Sequence, residues 1–296
     1  NDLLDDGKIT IEGVAYAVHP KVVEAIIKYP EFYYAGTVGP DGFPDFVMGQ
    51  AIIHPIRTGV WLARVLDMAW AYQSRPDTVC SPEQKLQVLA WSHGFLTHAA
   101  GDIWAHTMVN EFTGGTWPPF ADVLSNAPDT ANAVRHLIVE GYIADATSGW
   151  DGNGERSKLP DGDFSDDSTP GIAYDAPIEF IYDALIAPFA GEPTPERGPL
   201  IDKFLELRAQ LANLLAAQGG NVANPDAVID TIIGGGTPTA ADLALLTRAY
   251  LQSWIANIDD GLRHWAIFGL AITKAMFDPQ TRRDLQNETE IGRAHV

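Results

Sequence analysis

The stretch His98-Ala99-Ala100-Gly101-Asp102-Ile103-Trp104-Ala105-His106 decides how this chain is read. Its two histidines and its aspartate are spaced four residues apart. At ~100° per residue each step of four drifts only about 40°, so one helical face carries all three side chains. Two imidazoles flanking a carboxylate suit a cation better than a core, because burying an unpaired aspartate is costly and a cation beside it removes that cost. Leu96, Ala99, Ala100, Gly101, Ile103 and Trp104 are apolar or small, so the motif is expected to lie away from bulk water. Gly101 and Ala105 are expected to let another helix approach. A second pair, His136 and Glu140, repeats the i, i+4 spacing. Upstream stand Asp41, in Ala35-Gly36-Thr37-Val38-Gly39-Pro40-Asp41, and His54. Four imidazoles and three carboxylates within a hundred residues are enough nitrogen and oxygen for more than one zinc ion. By chemistry alone Asp45 is as good a loop carboxylate as Asp41.

Composition sets the frame around the motif. The chain has 296 residues, 46% of them hydrophobic, which supports one large domain or two modest ones. No linker marks a boundary. With 19 basic residues against 39 acidic ones, the net charge of −20 repels phosphate backbones, so duplex nucleic acid is not an expected partner. The same charge fits a secreted or extracytoplasmic protein. The single cysteine, Cys80, rules out an internal disulfide, and no apolar run approaches the ~20 residues of a membrane span. The chain opens on Asn1, and Glu290-Ile291-Gly292-Arg293-Ala294-His295-Val296 reads as an in-frame translation of a sequencing adapter. Residues 1–289 are therefore expected to hold one domain, within a chain that is a fragment.

Apolar periodicity is helical almost throughout, so the expected class is all-α, a multi-helix domain with its metal cluster in a cleft. Helices are expected over 20–29, 55–74, 81–112, 178–187, 199–217 and 240–277, and from Asp129 through Glu140. Ser81-Pro82-Glu83-Gln84 is a strong helix start. A break is expected at Asp259-Asp260-Gly261. The segments 36–46 and 149–172 read as loops, and residues 1–13 as a solvated acidic lead-in. Asp151, Asn153 and Glu155 read as loop residues in preference to a calcium site. His54 precedes Pro55 and is expected to be extended. His93 points away from the ligand face, His264 is isolated, and both read as structural.

The segments Tyr34–Asp41, His54, Phe95–His106 and His136–Glu140 resemble the zinc-dependent phospholipase C family, nearest to the catalytic domains of its glycosylphosphatidylinositol-specific phospholipase D branch. The likeness covers residues of about 30–145 and fades beyond. It implies a mainly helical fold with two or three zinc ions deep in a cleft. It implies one zinc held by Asp41, His54, His98 and Asp102, and another by His106, His136 and Glu140, with Asp102 bridging. In bacterial members the second histidine follows the bridging aspartate by six residues with a proline between; here His106 follows by four and the proline is absent, as in the phospholipase D branch. Those members also bind a third zinc through the N-terminal amine and an early histidine. His19 is the local candidate for that role, and a ligand upstream of residue 1 is the alternative.

The chemistry such a cluster serves is phosphodiester hydrolysis by a metal-activated water, which Asp41 could orient or deprotonate. The expected substrate is a phospholipid or other phosphodiester, met in a transient contact with a membrane surface. Two other readings stay open. One is a single-strand nuclease on the same fold, for which Trp104, Trp117 and Trp150 offer base-stacking surfaces. The other is a non-catalytic helical domain with structural zinc.

Overall fold

Five of the helices begin on a proline, whose fixed φ and missing N–H cost nothing in a first helical turn. The computed structural model describes residues 7–146, 174–187, 196–235 and 237–277. Among the described residues the chain forms eleven helices and one two-stranded sheet, so it is mainly α-helical as expected. In order these are β1 (Lys8–Ile11), β2 (Val14–Ala17), α1 (Pro20–Lys28), α2 (Pro30–Thr37), α3 (Phe46–Met48), α4 (Thr58–Gln73), α5 (Pro82–Thr113), α6 (Phe120–Ser125), α7 (Ala127–Ala146), α8 (Ile178–Ile181), α9 (Pro199–Ala217), α10 (Pro225–Gly234) and α11 (Ala240–Phe277). A 3-10 turn at Gly39–Asp41 and π turns at Gly49–Ile53 and Tyr182–Ile186 complete the path.

The long α5 is the axis of the molecule, with α1, α2, α4 and α7 against it. Ser81 and Gln84 cap its start reciprocally: the Ser81 hydroxyl accepts from the Gln84 N–H at 3.2 Å, and the Gln84 amide oxygen accepts from the Ser81 N–H at 2.9 Å. Gly114 ends it in the left-handed conformation. Its first half is core. Leu89, Trp91 and Phe95 are fully buried among Phe43, Trp61, Phe180 and Ile181. The crossing of α2 over α5 is set by glycine. A Cβ on Gly36 would stand 2.1 Å from the Trp91 carbonyl oxygen, and one on Gly94 2.2 Å from that of Tyr33. The close approach expected at Gly101 occurs two turns earlier on the same helical face, at Gly94; around Gly101 there is open space.

Three local readings are corrected. The lead-in becomes, from Lys8 onward, an antiparallel hairpin pairing Lys8 with Ala17 and Ile11 with Val14; both its strands are exposed, so no buried face gave it an alternating pattern. His54 is not extended. It has φ −65° and ψ −56°, because its N–H closes the π turn onto the Gly49 carbonyl at 3.0 Å and that bond outweighs the bias imposed by Pro55. Helix α11 runs unbroken through Asp259-Asp260-Gly261, where Arg208 of α9 grips Asp259 with two hydrogen bonds and removes the repulsion between the paired aspartates. Residues 1–6, the proposed loop residues Asp151, Asn153 and Glu155, Trp150 and the 290–296 segment lie outside the described residues. Among the described residues no helix is long and apolar enough to cross a membrane.

Candidate metal centre

Helical pitch does to His98, Asp102 and His106 what the sequence implies: all three lie on one face of α5. Across from them the 3-10 turn brings Asp41, the π turn brings His54, and α7 brings His136 and Glu140. The seven residues form two groups. In the first, His54 Nε2 lies 2.9 Å from Asp41 Oδ1 and His98 Nε2 lies 3.9 Å from Asp41 Oδ2. In the second, His106 Nε2 is 3.9 Å and His136 Nδ1 is 3.6 Å from Glu140 Oε1. Asp102 stands between them. Its Oδ2 is 3.1 Å from His98 Nε2 and 3.4 Å from His54 Nδ1, while its Oδ1 is 3.8 Å from His106 Nε2.

The imidazoles are oriented for binding from behind. His98 Nδ1 lies 3.0 Å from the Thr37 carbonyl, an acceptor only, so Nδ1 carries the proton and Nε2 presents its lone pair. That Nε2 is buried and lacks a hydrogen-bond partner. His136 is the mirror case. Its Nε2 is held by the Gly115 carbonyl at 3.0 Å and the Thr113 hydroxyl at 2.9 Å, so Nδ1 is the basic atom, and it too is buried without a hydrogen-bond partner. A carbonyl fixing one ring nitrogen while the other faces carboxylates is the arrangement metal-binding histidines use. Leaving two such nitrogens unsatisfied would cost about 1–3 kcal/mol each, a cost a cation removes. The donor set of imidazole and carboxylate fits zinc.

The charges agree with the geometry. Burial works against ionised Asp102, but the nearby imidazoles, His98 first, then His54 and His106, outweigh it and hold its carboxyl below the usual range. Burial likewise disfavours His98 imidazolium, yet Asp102 and Asp41 raise its pKa overall. Burial raises Glu140.

Asp45 is buried away from this centre. Its Oδ1 caps α3 through the Val47 and Met48 N–H groups at 2.8 and 3.0 Å, and its Oδ2 accepts from the Trp265 indole. Asp41 is therefore the loop carboxylate of the site. His19 belongs to neither group. It serves as the N-cap of α1, its Nδ1 accepting from the Lys21 N–H at 3.2 Å and its ring edge-on to Trp70. His93 binds the Leu89 carbonyl and His264 the Asp260 carbonyl, both as structural residues. The sequence reading missed Gln50, whose side-chain amide donates to Asp41 Oδ1. Trp117 packs edge-on to His136 at 5.3 Å between centroids. The apolar flank of the motif is not core: Ile103 is 74% and Trp104 83% exposed, so the cation explanation rests on the orphaned imidazoles and not on enclosure by these residues. Compared with known proteins, the chain matches no family model, no curated sequence and no solved structure.

Proposed function

We propose that this chain is a zinc-dependent phosphodiesterase of the phospholipase C type, hydrolysing phospholipid with a metal-activated water. The observation that carries the reading is Asp102, whose two oxygens face two separate sets of imidazole and carboxylate ligands. Asp41, His54, His98 and Asp102 would hold one zinc, and His106, His136 and Glu140, with Asp102, the next. Bound zinc would supply Lewis acidity to phosphate oxygens and bring the pKa of water toward neutrality. The chain's own part is positioning. Gln50 and His54 engage Asp41 Oδ1, which leaves Oδ2 as the oxygen to orient water and accept its proton. The net charge of −20 does not oppose an anionic phosphate, because local cations dominate the field.

A nuclease reading has one supporting observation, Trp117, which packs edge-on to His136 of the second group and offers a ring on which a base could stack. Zinc analysis, with phosphatidylcholine and single-stranded DNA as parallel substrates, tests both. The phospholipase reading expects phospholipid cleavage that a chelator abolishes and added zinc restores. Cleavage of DNA alone would favour the nuclease, and a zinc-loaded chain that turns over neither substrate would sink the enzymatic reading.

A further inference from the structure

We propose that the cavity between α3, the Gly49–Ile53 turn, the start of α9 and the late part of α11 binds one long alkyl or acyl chain. It measures about 520 Å³ and is walled by Val47, Met48, Ala51, Ile52, Leu200 and Phe268. That volume lies within the roughly 300–1,000 Å³ of small-molecule pockets. One charged side chain, Asp45, reaches the wall, and both of its oxygens are already hydrogen-bonded, to the Val47 and Met48 N–H groups and to the Trp265 indole. A sugar or a charged headgroup entering here would lose water and find few partners. A hydrocarbon chain gives up no hydrogen bonds to water on entering and gains burial. The bonds of Asp45 also tie the start of α3 to α11 at the cavity wall.

The cavity and the metal centre share one turn. Ala51 and Ile52 line the cavity, the preceding Gln50 donates to Asp41, and His54 follows the turn directly. A lipid with its phosphate at the metal centre and its tail in the cavity would thus be held on both sides of the same five residues. The chain could come from such a substrate or from a free fatty acid. Only the first source rests on the phosphodiesterase reading; the binding of a chain does not.

Cis-parinaric acid titrated into the full chain, with and without zinc, tests the site. One saturable site per chain is expected. Displacement by saturated fatty acids should strengthen by up to about fourfold per methylene until the cavity is filled. Leu200 and Phe268 are more than half exposed, so Leu200→Glu and Phe268→Glu should fold normally. Each sets a carboxylate against the chain and should weaken binding at least roughly tenfold, with zinc content unchanged. Absence of saturable binding, or binding indifferent to both variants, overturns the proposal. So does a melting temperature lowered by both variants without any probe binding, since the chain itself would then fill the cavity. Turnover separates the sources. If the substrate's tail is the occupant, Leu200→Glu lowers kcat/KM for a long-chain phosphatidylcholine and spares the chainless p-nitrophenyl phosphocholine. If a free fatty acid is the occupant, the probe binds and both turnovers are unchanged. Probe binding with no turnover on any phosphodiester would defeat the proposed function and leave this site standing.

Discussion

Asp102 concentrates the chemistry of the site in one side chain. Its two oxygens serve different ligand groups, so Asp102→Asn should remove zinc from both, whereas Glu140→Gln should weaken one. Atomic emission would then count two lost ions per chain against one; equal losses would sink the bridging role. Phosphodiester hydrolysis should fall by several orders of magnitude in Asp102→Asn. Protons compete for the same atoms. A raised His98 pKa means that its Nε2 stays protonated to a higher pH than an ordinary imidazole. Zinc needs that nitrogen bare, so affinity at the first group is full above the raised pKa and declines as pH falls through it. Zinc retention measured against pH should begin to drop above the usual imidazole range; a drop confined to the carboxylate range would refute this. Five of the seven candidate ligands were legible in the sequence because i, i+4 spacing maps directly onto a helical face; Asp41 and His54 were implied only by the family resemblance, and chemistry alone left Asp45 equal to Asp41. The atoms that fix their tautomers were not. The Thr37 and Gly115 carbonyls and the Thr113 hydroxyl reach His98 and His136 only through tertiary packing, and backbone oxygens leave no trace in sequence.

At the scale of elements, the centre depends on how α2 lies on α5. The Gly36 and Gly94 contacts set that crossing, and the C-terminal end of α2 delivers both the Thr37 carbonyl and the turn bearing Asp41. Gly39 makes the delivery possible. It has φ +58°, and a Cβ there would meet the His98 ring at 2.4 Å. Gly94→Ala places a methyl 2.2 Å from the Tyr33 carbonyl, so the two helices must part. We expect a loss of about 1–3 kcal/mol in stability from that overpacking. Zinc affinity at the first group should fall with it, while the second group, carried by α5 and α7, keeps its ion. Calorimetry of zinc binding would show this; two groups weakened alike would argue that the crossing does not govern the site. Long amphipathic helices were readable from periodicity, and α5 even announces its own cap. The π turn holding His54 was not, because its i+5 bond competes with a following proline and only the folded contacts decide which wins. The continuity of α11 is a similar case, settled by an arginine fifty-one residues away in sequence.

For the molecule as a whole, the core and the metal centre occupy different parts of one long helix. Leu89, Trp91 and Phe95 anchor the first half of α5 in an aromatic cluster with Phe43, Trp61 and Phe180. The candidate ligands begin at His98, and beyond it Ile103 and Trp104 turn outward. Folding therefore has a source of stability that zinc does not supply, unlike small domains that unfold when stripped of metal. Trp91→Ala, by contrast, should cost about 3–5 kcal/mol whether or not zinc is present. Zinc bound as proposed would contribute by linkage. An ion at a hundred times its dissociation constant adds about 2.7 kcal/mol. In a chain of this size each kcal/mol moves Tm by about 2–4 °C. Chelation should thus lower Tm by roughly 5–10 °C per ion removed at that saturation, with the far-ultraviolet helical signal at room temperature nearly intact. Re-addition of zinc should restore Tm, and magnesium should not, since imidazole-rich sites disfavour that cation. A chain that lost its helical signal on chelation would show the second half of α5 and α7 to be folded by zinc, and the division between a self-sufficient core and a metal-completed site would have to be abandoned.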